Sequence, residues 1–120
     1  MYNIHPRHRS ESSKRLRKLI EDFGKEYVAF SKPEYASGNC LSISKQFIEK
    51  AEELGFEDVS IPGVFVDDSN TIHRIARVGD VCIDWTAKQY NTDAPFPLVF
   101  RDGVSGYIYK RPLYPVSIVY

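Results

Sequence analysis

Cys40 stands in Ser37-Gly38-Asn39-Cys40, directly before an amphipathic run from Leu41 to Leu54. Downstream come His73 and then Ile83-Asp84-Trp85-Thr86. A thiol opening a helix, followed by a histidine and an aspartate on short strands, is the residue set of thiol-dependent acyl transfer. Each type has a chemical reason. A free thiol has a pKa near about 8.5 and is mostly protonated at neutral pH, so it must be activated. A helix N-terminus supplies partial positive charge, and an adjacent imidazole takes the proton to leave a thiolate and imidazolium pair. A carboxylate on the far imidazole nitrogen fixes the tautomer and stabilises the cation. Backbone amides at the helix start, that of Cys40 included, can donate to a developing oxyanion. Asn39 and Gln89 are further candidates for oxyanion or substrate positioning, Gln89 having a backbone-bonding alternative. Gly38 leaves room for substrate to approach the thiol.

The elements that must position these residues can be read from the pattern. Ser10 or Ser12 can cap a helix running to about Gly24. Leu16, Leu19, Ile20, Phe23 and Tyr27 recur at spacings of three and four, one apolar stripe with basic residues opposite. Lys32-Pro33 and Ser37-Gly38 bracket an irregular stretch. A second helix is expected from about Asn39 to Leu54, with Ile43, Phe47, Ala51 and Leu54 facing the core and Gly55 as its C′ residue. Pro62-Gly63 opens a β-rich half, with strands expected at Val64–Val66, Ile72–Val78, Val81–Trp85, Tyr107–Lys110 and Val116–Val119. The first ten residues, Met1 to Ser10, read as an arm. Helices first and an antiparallel sheet afterwards make a single α+β domain over residues 1–120.

Val78-Gly79-Asp80-Val81 reads as a two-residue hairpin. Its register sets Ala76 opposite Ile83, Arg77 opposite Cys82, Ile75 opposite Asp84 and His73 opposite Thr86. Opposed residues share a face. His73, Ile75, Cys82, Asp84 and Thr86 therefore share one face, and Ile72, Ala76, Val78, Val81, Ile83 and Trp85 the other. His73 and Asp84 become diagonal neighbours with Cβ atoms about 7 Å apart, within reach of a hydrogen bond. The hairpin would build the base and its orienter.

Structural readings compete with each of these. Cys40 alone would be a small buried hydrophobe, and His73 alone an exposed strand residue beside Arg74. Their combination with Asp84, a type that strands disfavour, argues for catalysis. Cys82 shares the His73 face but lacks a helix terminus, and Trp85 reads as core packing on the opposite face. His5, His8, His73, Cys82 and Asp84 offer metal ligands only from unrelated segments, without a CxxC or HExxH spacing. Neither GxxxxGK nor GxGxxG occurs. No metal or cofactor is expected.

Composition bounds the class. The chain has 120 residues with 42% hydrophobic and 13% aromatic content, which fits one globular domain rather than a disordered chain. Formal net charge is zero, so neither nucleic acid nor membrane binding has global electrostatic support. The basic stretch Lys14 to Lys18 reads as a solvated helix face, with Arg15 and Lys18 as candidates for capturing a charged partner. No apolar run approaches the roughly 20 residues of a spanning helix, and no signal-peptide core opens the chain. The expected compartment is the cytoplasm, with delivery into a target cell as the variant, and with two free thiols.

Gly38-Asn39-Cys40 at a helix start, His73 on a strand, then Gly79, Ile83-Asp84, Thr86 and Gln89-Tyr90 together resemble the Cys, His and Asp blocks of papain-fold proteins. The likeness is to small bacterial and phage papain-fold toxin or effector domains and to transglutaminase-like domains. Their third block often reads Asp-Pro-Thr followed by Gln and an aromatic residue; here Trp85 replaces the proline. The resemblance covers Gly38 to Tyr90. It implies a papain-like core, with Cys40 as nucleophile, His73 as general base and Asp84 as orienter. No glutamine precedes Cys40, where large papain-like proteases carry an oxyanion donor. The expected function is a cysteine-dependent hydrolase or acyltransferase acting on an amide or ester carbonyl of a protein or peptide: a peptidase, glutamine deamidase or transglutaminase-like enzyme. The alternative is a papain-fold binding or inhibitor protein with a non-catalytic triad.

Overall fold

The computed structural model describes residues 11–65 and 72–101. The arm at Met1–Ser10, Val66, and the strands expected at Tyr107–Lys110 and Val116–Val119 lie outside the described residues. Helix α1 spans Glu11–Glu26, two residues beyond its expected end at Gly24. Gly24 is held inside the helix by packing, since a Cβ there would lie 3.6 Å from the Trp85 ring. Leu16, Leu19, Ile20 and Phe23 bury the expected stripe. Tyr27 lies just past the helix, its ring stacked on Phe23 at 4.4 Å.

The stretch expected to be irregular is instead partly helical. A 3-10 turn covers Val28–Ser31, and a single α-turn, α2, covers Pro33–Ala36 with Pro33 in its first turn. Proline presets the helical φ there. A four-residue element is too short to show a periodicity, which is why the pattern missed it.

Helix α3 spans Cys40–Glu53 and buries Ile43, Phe47, Ile48 and Ala51. It closes as a Schellman motif: Phe56 N–H donates to Ala51 C=O at 3.1 Å and Gly55 N–H to Glu52 C=O at 3.0 Å. Leu54, expected in the core, is 47% exposed. It is the C-cap residue, where the chain leaves the helical path and the apolar face no longer meets the sheet.

Strands β1 (Val59–Ser60), β4 (Ala76–Val78), β5 (Val81–Asp84) and β6 (Leu98–Arg101) form an antiparallel sheet in the order β1-β4-β5-β6. Strands β2 (Gly63–Phe65) and β3 (Ile72–Arg74) form a separate antiparallel ribbon. The hairpin has the expected register, with Ala76 opposite Ile83, Arg77 opposite Cys82 and Val78 opposite Val81.

The strand expected to run unbroken from Ile72 to Val78 divides at Ile75, whose N–H donates to Pro62 C=O at 3.2 Å. His73 therefore pairs with Val64 rather than Thr86. Ile72, placed by the register with the core residues, is exposed instead. The remaining face assignments stand. Ala76, Val78, Val81, Ile83 and Trp85 pack with α1 and α3, while Ile75 and Cys82 pack with Val64, Ala87, Ala94 and Leu98.

The domain is α+β among the described residues, with three helices and a four-stranded antiparallel sheet, of which α1 and α3 pack on one face of the sheet. Trp85, 1% exposed, anchors the main core, its ring 4.7 Å from Phe23 and 5.2 Å from Phe47. Truncating such a residue costs about 3–5 kcal/mol. Among the described residues no helix is long and apolar enough to cross a membrane.

Candidate active site

The turn from α2 into α3 sets the thiol. Gly38 has φ +80 with open space where a Cβ would point, a left-handed conformation that glycine takes without strain. Asn39 follows as the N-cap residue, and Cys40 opens α3. The Asn39 carboxamide does not cap the helix. Its Nδ2 donates to Tyr35 C=O at 2.8 Å and to Ser37 C=O at 3.4 Å, tying the turn back onto α2. Cys40 is half-buried, and neither Cys40 nor Cys82 is in a disulfide.

Because β3 leaves the main sheet at Ile75, it reaches the N-terminus of α3. There the His73 ring and the backbone N–H groups of Arg74 and Leu41 lie close enough to the Cys40 thiol to lower its pKa. On the far side of the ring, His73 Nε2 donates to Asp84 Oδ2 at 2.8 Å. Asp84 takes that nitrogen, so Nδ1 is the ring atom left to share a proton with the thiol. Both His73 and Asp84 are 0% exposed. Of the three side chains, only Cys40 meets solvent.

Asp84 is itself held. Its Oδ1 accepts from Thr86 N–H at 3.0 Å and from the Thr86 hydroxyl at 3.5 Å. Gln89 Nε2 donates in turn to Thr86 Oγ1 at 3.0 Å. The Gln89 amide therefore supports Thr86 and, through it, the carboxylate. Both side chains expected to serve the oxyanion, Asn39 and Gln89, donate to acceptors within the protein.

The electrostatics favour the ion pair. Burial alone would push the Cys40 thiol up, but the His73 ring, the Arg74 N–H, the imidazolium charge and the Leu41 N–H outweigh it, leaving the thiol below its ordinary range. Burial would likewise push His73 down. The Asp84 charge and hydrogen bond, joined by those of Cys40, raise it instead to about 9. The two shifts run together in the direction of a thiolate beside an imidazolium.

The pattern gave no role to three contributors. Arg74 acts through its backbone N–H, which no side-chain motif reveals. Thr86 is signalled by its place two residues after Asp84, the spacing of an Asx turn. Tyr90 packs edge-on to His73, with ring centroids 4.8 Å apart and planes at 79°.

The expected partner-binding residues lie elsewhere. Arg15 donates to Leu54 C=O and sits 4.9 Å over the Phe56 ring, so it caps the C-terminus of α3. Lys18 pairs with Asp22 at 3.3 Å. Both border a groove of about 460 Å³ together with Phe23 and Leu54. Because α3 has 14 residues, its two ends are about 21 Å apart, which separates this groove from Cys40. Among the described residues no three of His, Cys, Asp and Glu converge to hold a metal ion. Comparison of the chain with protein-family models, with curated proteins and with solved structures finds no match in any of the three.

Proposed function

We propose that this protein is a papain-like cysteine hydrolase or acyltransferase acting in the cytoplasm on an amide or ester carbonyl of a protein or peptide. The observation that carries the reading is the juxtaposition of Cys40 with the ring of His73, itself hydrogen-bonded to Asp84, the three being open to solvent only at Cys40. In this reading the thiolate attacks the carbonyl carbon, and the oxyanion is met by the Cys40 N–H at the positive end of α3. Imidazolium gives its proton to the leaving amine or alcohol, and a thioester remains on Cys40. Neutral His73 then deprotonates water, or an amine acceptor, which attacks the thioester and regenerates the thiol. Asp84 stays ionised throughout and holds the ring by Nε2.

Peptidase, deamidase and transglutaminase chemistry share this thioester and differ in the leaving group and in the nucleophile that resolves it. Cys40→Ala and Cys40→Ser remove the nucleophile and little else, so either is expected to abolish whatever modification the wild type makes on a cellular partner. Intact-mass analysis of that partner separates the outcomes: a gain of about 1 Da marks deamidation, two fragments proteolysis, and a larger addition acyl transfer. If Cys40→Ala keeps full potency, the enzyme reading is wrong and a binding or inhibitor protein takes its place.

A further inference from the structure

Taking Cys40 as the nucleophile, the site has a backbone donor for the oxyanion but needs a second. The side chains that sequence suggested are committed elsewhere, Asn39 to Tyr35 and Ser37 and Gln89 to Thr86. Ser44, one helical turn beyond Cys40, has a buried hydroxyl without a hydrogen-bond partner among the described residues, but it is enclosed and cannot reach a carbonyl arriving from solvent. Tyr90 is different in kind. Its ring packs edge-on against His73, yet the residue is 41% exposed, so it spans from the buried base to the solvent side where a substrate must enter.

We propose that the Tyr90 hydroxyl is the second oxyanion donor, facing the Cys40 N–H across the carbonyl under attack. This rests on Cys40 acting as the nucleophile.

Tyr90 is placed by the same turn that holds the carboxylate. The 3-10 turn Ala87–Gln89 begins at Thr86, whose N–H and hydroxyl grip Asp84. Gln89 N–H donates to Thr86 C=O at 3.1 Å and Tyr90 N–H to Ala87 C=O at 3.0 Å. The phenol is thus indexed to Asp84, and through Asp84 to His73. A donor fixed before the reaction has little reorganisation left to do when charge develops. Its protonation state also suits the role. Burial, with the negative charges of Cys40 and Asp84, holds the phenol above its ordinary range, so it remains an O–H donor beside the thiolate.

Two reactions of the same sulfur separate this role from a packing role. p-Nitrophenyl acetate acylates a thiolate through a tetrahedral oxyanion: sulfur bonds to carbon, the carbonyl pair moves to oxygen, and collapse expels p-nitrophenolate and leaves an acetyl thioester. Iodoacetamide is attacked at a saturated carbon, where sulfur displaces iodide and no oxyanion forms. Tyr90→Phe keeps the ring against His73 and removes only the hydroxyl. Its burst of p-nitrophenolate is expected to be slower by about 10²- to 10³-fold, the penalty for one lost donor, with Cys40 alkylation unchanged. A burst at the wild-type rate would overturn the proposal, as would equal slowing of both reactions, which would mean that the hydroxyl acts on the thiolate instead. If wild-type Cys40 gives neither burst nor accelerated alkylation, the nucleophile reading fails and this one with it.

Discussion

At the residue scale the His73 and Cys40 shifts run in opposite directions, and their linkage has a definite sign. His73 is raised above its ordinary value of about 6.5, so its contribution to stability is complete below that pH and is lost as pH rises through about 9. Cys40 is lowered, so its contribution is present above the ordinary thiol value and is lost as pH falls through the folded value. Across the neutral range the raised imidazole holds more proton than its unfolded counterpart and the lowered thiol holds less, so the two slopes oppose each other. Urea unfolding of the wild type is therefore expected to vary less with pH than that of a variant lacking the thiol. Cys40→Ser removes the thiol's share and leaves His73 raised by Asp84, so its stability is expected to fall as pH rises above about 6.5. A flat profile for both proteins would contradict the raised imidazole. Hairpin register at Gly79-Asp80 located β5 and with it Asp84, but His73 meets that carboxylate from the separate ribbon beyond the break at Ile75, not from the expected pairing with Thr86. The sequence concealed Arg74 and the uses of Asn39 and Gln89, because a backbone donor and a rotatable amide leave no trace in residue spacing.

At the scale of elements, α3 carries Cys40 at one end and a cap at the other. Arg15 meets Leu54 C=O and covers Phe56, the favourable placement of a cation at a helix C-terminus. Arg15→Ala is expected to lower the urea midpoint, with a loss of about 1 kcal/mol for this exposed contact. Lys18→Ala, which breaks only an exposed ion pair with Asp22, should lie within about 0.5 kcal/mol of wild type. Neither change should alter Cys40 alkylation, because both act at the far end of the helix. Equal stability of Arg15→Ala and wild type would contradict a capping role for Arg15. Helices α1 and α3 were legible from their stripes and from Gly55. The short turn α2 and the break at Ile75 were not. The break depends on Pro62 C=O receiving the Ile75 N–H, a tertiary contact that no local pattern encodes.

At the scale of the molecule the site exists only because two halves meet. The helical half supplies Cys40, the sheet half supplies His73 and Asp84, and β3 joins them by leaving its sheet for the start of α3. Sequence could place each half but not their contact, which depends on how α1 and α3 pack over Trp85. In the proposed reading selective reactivity belongs to the folded chain alone, and it can be measured against the same cysteine unfolded. Burial by itself slows a thiol, so an ordinary half-buried Cys40 should react more slowly in the native protein than in urea. The decisive measurement is the rate of iodoacetamide alkylation at Cys40 at pH 6, by peptide mass analysis, for native and urea-unfolded wild type and for His73→Ala. The expected result is a native rate above the unfolded rate, falling below it in His73→Ala. A native rate at or below the unfolded one, unchanged by His73→Ala, would contradict the thiolate and the triad with it.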